Sequence, residues 1–239
     1  MGETLTIVDL QDLDNAVITC RRCPRLVAWR EAAATQSRAR KEQYWARPVP
    51  GFGPADARIM VVGLAPAAHG SNRTGRMFTG DRSGDFLFEA LHAVGLASQA
   101  HAVSRADGMR LIDTRMAAPV RCAPPENKPT PQERDTCRPW LATELELLRP
   151  TLRAVVVLGA FGWQALLPVL SAAGWQVPKP RPVFGHGVEI TLPAADGGPA
   201  LTLLGCYHVS PHNTFTGRLT QAMLRDVFRR AQEFAGDRK

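Results

Sequence analysis

Apolar positions in this chain fall into two rhythms that alternate from one end to the other. Leu10, Leu13, Ala16 and Val17 recur at helical spacing and predict an amphipathic helix, and Pro24 is placed to open a second one through Leu26, Val27 and Ala33. The run Arg58-Ile-Met-Val-Val-Gly-Leu-Ala-Pro is unbroken until Pro66, as expected of a strand buried on both faces. A helix from Asp85 to Val94 follows, stopped by Gly95. Leu111–Val120 is a weaker strand, interrupted by Arg115 and Pro119. Thr130-Pro-Gln-Glu133 is a capping box with Pro at the first helical position, so it predicts a helix that carries Cys137 and that Pro139 should bend early. Ala154–Gly159 reads as a third strand, Phe161–Leu170 as its helix, and Pro178–Gly187 as a Pro-rich loop. After a hairpin-like pair around Gly197-Gly198 come the strand Leu201–Tyr207 and a helix from Gly217 to Phe234, with Leu224, Val227, Phe228 and Ala231 on one face. Such alternation predicts the α/β class, with a central, mainly parallel four-stranded sheet covered on both sides.

The 239 residues, 45% of them hydrophobic, suffice for a single domain, residues 1–239, in which roughly the first fifty residues form a helical arm. Ala154–Pro178 carries no charge, but Gly159, Gly162, Gln164 and Pro168 interrupt it, which suits a buried strand and short helix better than a membrane span. The formal charge is +7, from 29 basic residues against 22 acidic, and arginine far outnumbers lysine. That balance favours an anionic partner, nucleic acid first, although a genome rich in Ala and Arg codons produces part of it. The first residues lack a basic stretch, an apolar core and a cleavage site, so the expected location is the reducing cytoplasm, at the nucleoid.

In a reducing compartment paired cysteines point to metal before disulfides. Cys20 and Cys23 form a C-x-x-C turn, and Cys122 and Cys137 stand much farther along. Zinc and an iron-sulfur cluster suit four thiolates equally on ligand type. Because Cys122 and Cys137 are not a second C-x-x-C, their spacing leans towards a larger cluster held by separate elements, which would tie the N-terminal arm to the domain. Cys206, inside an apolar run, reads as a buried strand thiol.

Ligands of open α/β sheets bind beyond the carboxyl ends of the strands, and three segments fall there. They are Gly63-Leu-Ala-Pro-Ala-Ala-His-Gly-Ser-Asn-Arg-Thr-Gly-Arg-Met-Phe-Thr-Gly-Asp81, Arg121-Cys-Ala-Pro-Pro-Glu-Asn127-Lys-Pro, and Tyr207-His-Val-Ser-Pro-His-Asn-Thr-Phe-Thr-Gly-Arg218. None carries a Walker loop, a dinucleotide fingerprint, H-E-x-x-H or G-x-S-x-G. Together with the four cysteines they resemble the uracil-DNA glycosylase superfamily, specifically its iron-sulfur type B (family five) branch, from about Cys20 to the last helix. The related type A enzymes usually have Glu or Asp where this chain has Leu64-Ala65, and His-Pro-Ser where it has His208-Val209-Ser210. The resemblance implies a three-layer α/β/α sandwich and a structural 4Fe-4S cluster on Cys20, Cys23, Cys122 and Cys137. It also implies excision of uracil and of other deaminated or etheno bases from single- or double-stranded DNA; a monomer working away from membranes is expected.

A base inside a duplex is out of reach, so the nucleotide must be flipped into a pocket, stacked and read along its edge. Phe78 is the candidate platform, with a core Phe as the alternative, and Asn127 offers the donor and acceptor needed at the base edge unless it serves only an Asx turn. Gly63, Ala65 and His69 are expected in the same pocket. Breaking the glycosidic bond leaves a base anion and an oxocarbenium-like sugar. His208 can donate to the carbonyl where negative charge collects, or simply end a strand; Asp81 can orient water or oppose the sugar cation, or cap a helix. Lys128, the lysine nearest a motif, sits between Asn127 and Pro129, which predicts a monofunctional enzyme that leaves an abasic site. Ser210, Asn213, Thr214, Thr216 and Arg218 are expected on the DNA backbone, and Pro211–Phe215 can wedge into the gap left by the base. A non-catalytic, metal-stabilised nucleic-acid binding module would account for charge and cysteines but leaves His208, Asp81 and Asn127 as coincidence. An electron-transfer iron-sulfur protein fits the basic loops less well.

Overall fold

A computed structural model of the chain describes residues 7–36 and 42–236. In order, the elements are α1 (Leu10–Ile18), α2 (Pro24–Gln36), β1 (Ile59–Val62), α3 (Ser71–Thr74), α4 (Arg82–Ala93), β2 (Thr114–Ala117), α5 (Pro131–Leu148), β3 (Ala154–Leu158), α6 (Ala160–Ala172), β4 (Glu189–Leu192), β5 (Leu201–Cys206), α7 (Pro211–Phe215) and α8 (Gln221–Ala235). The strands form one sheet in the order β2-β1-β3-β5-β4, parallel except for the antiparallel edge strand β4.

Residue alternation in the strands builds the layers. Met60, Val62, Val155, Val157, Leu201 and Leu203 face one side, where Leu13 of α1, Leu141 and Leu145 of α5 and Trp163 and Leu166 of α6 complete a core. Ile59, Val61, Val156, Leu158, Leu204 and Cys206 face the other side, against Leu87, Phe88 and Leu91 of α4 and Leu224, Val227 and Phe228 of α8. The result is the expected helix-sheet-helix sandwich. Cys206 is a buried strand thiol, as its apolar run suggests.

The capping box forms in full: Thr130 Oγ1 accepts from Glu133 N at 3.2 Å and Glu133 Oε2 accepts from Thr130 N at 2.8 Å. From there α5 runs through Pro139 without a break. Two expectations need correction. The sheet has five strands, not four, because Glu189–Leu192 pairs antiparallel with β5, which realises the hairpin-like pair around Gly197-Gly198; the added strand is four residues long with two of them exposed, so its own residues carry little signal. The last helix begins at Gln221 instead of Gly217, since Thr220 caps it by accepting from Met223 N at 3.2 Å, and the preceding residues close the separate turn α7. No helix among the described residues is long and apolar enough to cross a membrane; the uncharged stretch is β3 followed by α6.

In this strand order the sequence departs from β1 in opposite directions, to β2 on one side and to β3 on the other. That reversal opens a crevice at the carboxyl ends of the strands.

Candidate active site

A cavity of ≈ 360 Å³, of the size that holds a small ligand, occupies this crevice. Leu64 and Ala65 enter it from the end of β1, Ala118 from the end of β2, and His208 and Ser210 from beyond β5. Phe78 and Asp81 come from the loop before α4, and Asn127 from a 3-10 turn at Pro125–Asn127. Residues widely separated in sequence thus meet because three strand ends deliver them to one place.

Phe78 forms part of this cavity's lining. Its φ of 51° is a left-handed conformation that bulky residues avoid, which costs about 1–3 kcal/mol and must be enforced from outside. The turn is braced by Arg76, whose Nε donates to Thr79 Oγ1 at 2.9 Å while Nη1 and Nη2 reach Asp107 at 2.8 and 2.6 Å. Asp107 also accepts from the backbone N–H groups of Val103, Ser104 and Met109, and with these partners its carboxyl lies well below the usual carboxylate range despite partial burial. Arg73 adds a second clip, donating to His69 O at 2.9 Å and to Gly80 O at 2.9 Å. Two glycines fix the ring and its backbone: a Cβ at Gly63 would stand 2.6 Å from Phe78 Cζ, and one at Gly84 would stand 1.8 Å from the Phe78 carbonyl oxygen.

Asp81 and His208 share the cavity wall. Asp81 is the N-cap of α4, its Oδ1 accepting from Gly84 N at 2.9 Å, so the capping role is real. Its other oxygen has no hydrogen-bond partner among the described residues. The His208 backbone is fixed by Asn213, whose Nδ2 donates to His208 O at 2.8 Å, while the imidazole nitrogens make no hydrogen bond among the described residues. Burial pushes the His208 ring below its ordinary value, against the opposing pull of the Asp81 carboxylate, so the ring is neutral near pH 7 and has one N–H to donate.

Asn127 is exposed at the mouth, with φ 56° beside Glu126 at φ 54°, and its amide is unengaged among the described residues. Ser210 lines the cavity and does not use its hydroxyl to cap α7. Gly63 lies behind Phe78, not on the cavity surface. His69 is exposed and turned away: its Nδ1 is 3.1 Å from Tyr44 Oη, and it is not part of the lining. The hydroxyls of Thr214 and Thr216 bond to Pro211 O and His212 O, whereas Arg218 lies over the Tyr207 ring at 4.4 Å. Sequence reading missed Met77 and Ser83 in the lining and the bracing pair Arg76 and Asp107, which no motif announces.

Cys20, Cys23, Cys122 and Cys137 line a second cavity, walled by Leu26, Val27 and Trp140. Burial pushes the Cys122 thiol up to about 11 and the Cys137 thiol to about 12. Arg30 Nη1 donates to Cys122 Sγ at 2.9 Å, and Arg121 N donates to Cys137 Sγ at 3.3 Å. Arg30 Nε and Arg121 Nε and Nη1 are buried without a hydrogen-bond partner; Arg121 is paired with Glu144, while Arg30, beside Cys122, has no carboxylate partner among the described residues, so its positive charge exceeds what neutral thiols answer. An anionic, all-sulfur ligand set fits that surplus. Among the described residues no three His, Cys, Asp or Glu side chains converge as one metal ion requires.

A family model described as the uracil DNA glycosylase superfamily matches residues 50–232. A Type-5 uracil-DNA glycosylase of Mycobacterium tuberculosis is 54% identical over 227 residues, covering 94% of this chain and 81% of its own. One from Thermus thermophilus is 49% identical over 230 residues, 96% of this chain and 100% of its own. A Type-4 uracil-DNA glycosylase of Pyrobaculum aerophilum is only 29% identical over 164 residues, 68% of this chain and 67% of its own.

Proposed function

Since the chain belongs to the uracil DNA glycosylase superfamily, with high similarity to its Type-5 members, we propose that it excises uracil from DNA by the chemistry of the Phe78, Asp81, Asn127 and His208 cavity. It is a DNA N-glycosylase of base repair, and DNA is its partner. The observation that carries the mechanism is that His208 and Asp81 face one nucleobase-sized cavity with polar atoms not engaged by the protein itself.

The extruded base lies on Phe78 and presents its polar edge to the Asn127 amide. As the N-glycosidic bond breaks, the electron pair moves onto the base, and the neutral His208 N–H stabilises the carbonyl oxygen where that charge gathers. The free Asp81 oxygen opposes the positive sugar and takes a proton from the water that forms the new C1′–O bond. Transfer of that proton to the base leaves free uracil and an abasic site. No lysine side chain lines the cavity among the described residues, which agrees with hydrolysis over a Schiff base. Ser210, Asn213, Thr214, Thr216 and Arg218 are read as the strand-holding wall, with Asn213 acting through the His208 backbone. The same Phe78 ring, read by one exposed amide, supports tolerance of other deaminated or etheno bases.

Cys20, Cys23, Cys122 and Cys137 would hold a 4Fe-4S cluster, whose iron-sulfur bonds supply a cross-link between the α1–α2 arm, the loop after β2 and α5. The all-sulfur donors and the surplus of buried guanidinium N–H groups support this reading. The test is incubation with a uracil-containing oligonucleotide followed by alkali. Strand breakage at uracil is expected; intact DNA after prolonged exposure to iron-loaded protein would leave the binding-module reading standing instead. Brown colour in the purified protein, lost in Cys137→Ala, is expected for the cluster.

A further inference from the structure

Several arginines remote from the cavity are paired with carboxylates: Arg58 with Asp113 at 2.5 Å, Arg225 with Glu89 at 3.1 Å and Arg230 with Glu189 at 2.8 Å, the last also lying over Phe234 at 4.9 Å. Around the cavity loops Arg76 and Arg73 are also paired, with Asp107 and Glu42, but four other arginines are held on rings with no carboxylate partner among the described residues. Arg82 lies over Phe215 at 5.2 Å, Arg218 over Tyr207 at 4.4 Å, and two guanidinium groups, Arg105 at 4.4 Å and Arg47 at 5.6 Å, share the Trp45 ring. An arginine held on an aromatic face is oriented without using up its N–H edges, which remain free for an outside acceptor.

The Trp45 group lies outside the three cavity-loop segments. Trp45 is anchored by Nε1 donating to Pro48 O at 2.9 Å and by its backbone N donating to Arg73 O at 2.9 Å. At Gly75, where φ is 76°, a Cβ would stand 2.7 Å from Trp45 Cδ2, so the indole is pressed against the same loop that carries Phe78. Arg47 and Arg105 are exposed, and neither pairs with a carboxylate among the described residues. Beside them runs an open cleft of ≈ 340 Å³ lined by Gln43, Tyr44, Trp45, Arg47, Arg73 and Thr74, with no carboxylate in its lining among the described residues.

We propose that Arg47 and Arg105, held on Trp45, form a phosphate clamp for the DNA strand flanking the extruded nucleotide, on the side of the cavity built by residues 63–81. Arg218 would hold the strand on the side built by residues 207–218, so the two groups grip the backbone on either side of the flipped base. This inference rests on the proposed action on DNA. Phosphodiester is favoured over an acidic protein segment because Arg47, Arg82, Arg105 and Arg218, held on rings with no carboxylate partner among the described residues, stand on or against the loops of a base-binding cavity, where two backbone phosphates necessarily pass.

The experiment compares the wild type with the double variant Arg47→Gln/Arg105→Gln, whose positions are exposed and compatible with folding. The probe is a labelled single-stranded oligonucleotide carrying an uncleavable abasic analogue, titrated across a range of salt concentrations. Loss of two phosphate contacts should lower the slope of log K against log salt by ~1.4 and weaken binding most at low salt. Trp45→Leu, which keeps both charges but removes their support, should give an intermediate loss. Unchanged affinity and slope in the double variant overturn the clamp, even if the surface captures an acidic protein. Uracil release by the wild type is measured in parallel. Release with unaltered variant binding refutes the clamp alone; no release with weakened variant binding refutes the proposed catalysis and leaves the clamp.

Discussion

Beneath the loop that follows β2, Glu144 is fully buried and answers two guanidinium groups, Arg115 at 2.5 Å and Arg121, while Arg115 also reaches Asp14 of α1 at 3.0 Å and Gly53 O at 2.9 Å. In the base cavity, a short way along the same loop, the arrangement is reversed. The Asn127 amide, the His208 ring and one Asp81 oxygen have no partner among the described residues, and both Phe78 and Asn127 are held at positive φ. One region satisfies its carboxylate with more than one cation and locks α1, β2 and α5 together; the other keeps hydrogen-bonding capacity in reserve. The contrast separates groups that hold the fold from groups held by it.

The largest test of that contrast is Glu144→Ala. It leaves Arg121 without a carboxylate and Arg115 with Asp14 alone, and should cost about 3–5 kcal/mol in urea unfolding. A loss below about 1 kcal/mol would mean that the network is not what joins these elements. His208→Ala should do the opposite, slowing base release by about 10²–10³ while leaving the thermal midpoint nearly in place. Asp81→Asn divides the two roles of one side chain. Asn is a good N-cap, so α4 should keep its stability, while loss of the charge should slow release by roughly tenfold to a hundredfold; a matching drop in melting temperature would assign Asp81 to capping alone.

The smallest effect is in the pH profile. Because burial lowers the His208 value, the neutral ring should persist below the ordinary histidine value of about 6.5, and release should stay level down to that pH and fall only under it. Protonation would place a positive charge on the ring within the pull of the Asp81 carboxylate and remove the neutral donor. His208→Asn should lack this acid limb, and a fall starting above pH 7 in the wild type would contradict the neutral donor.

The buried strands and capped helices were legible because their signals are local: β1 is an unbroken apolar run and α5 carries its own capping box. The edge strand β4 was legible only as half of a hairpin around Gly197-Gly198, since four residues, two of them exposed, become a strand only through pairing with β5. For the site, the segments holding Phe78, Asp81, Asn127 and His208 could be placed at strand ends, and the folded chain brings these four together. His69 shows the limit. It belongs to the same loop, but its direction is set by Tyr44, a residue in another segment, and no spacing rule encodes that. The stacks of Arg47 and Arg105 on Trp45 are of the same kind, visible only once distant segments are packed.

The Phe78 turn has a consequence for selectivity. Its ring rests on Gly63, its carbonyl is hemmed in by Gly84, and Arg76 and Asp107 brace it from behind. Such a platform does not retreat to admit a bulkier guest or rise to meet a smaller one. In the proposed mechanism discrimination among bases therefore falls to the rim, where Asn127 stands exposed, and a programme to retune the proposed substrate range should vary that rim and leave the aromatic base alone.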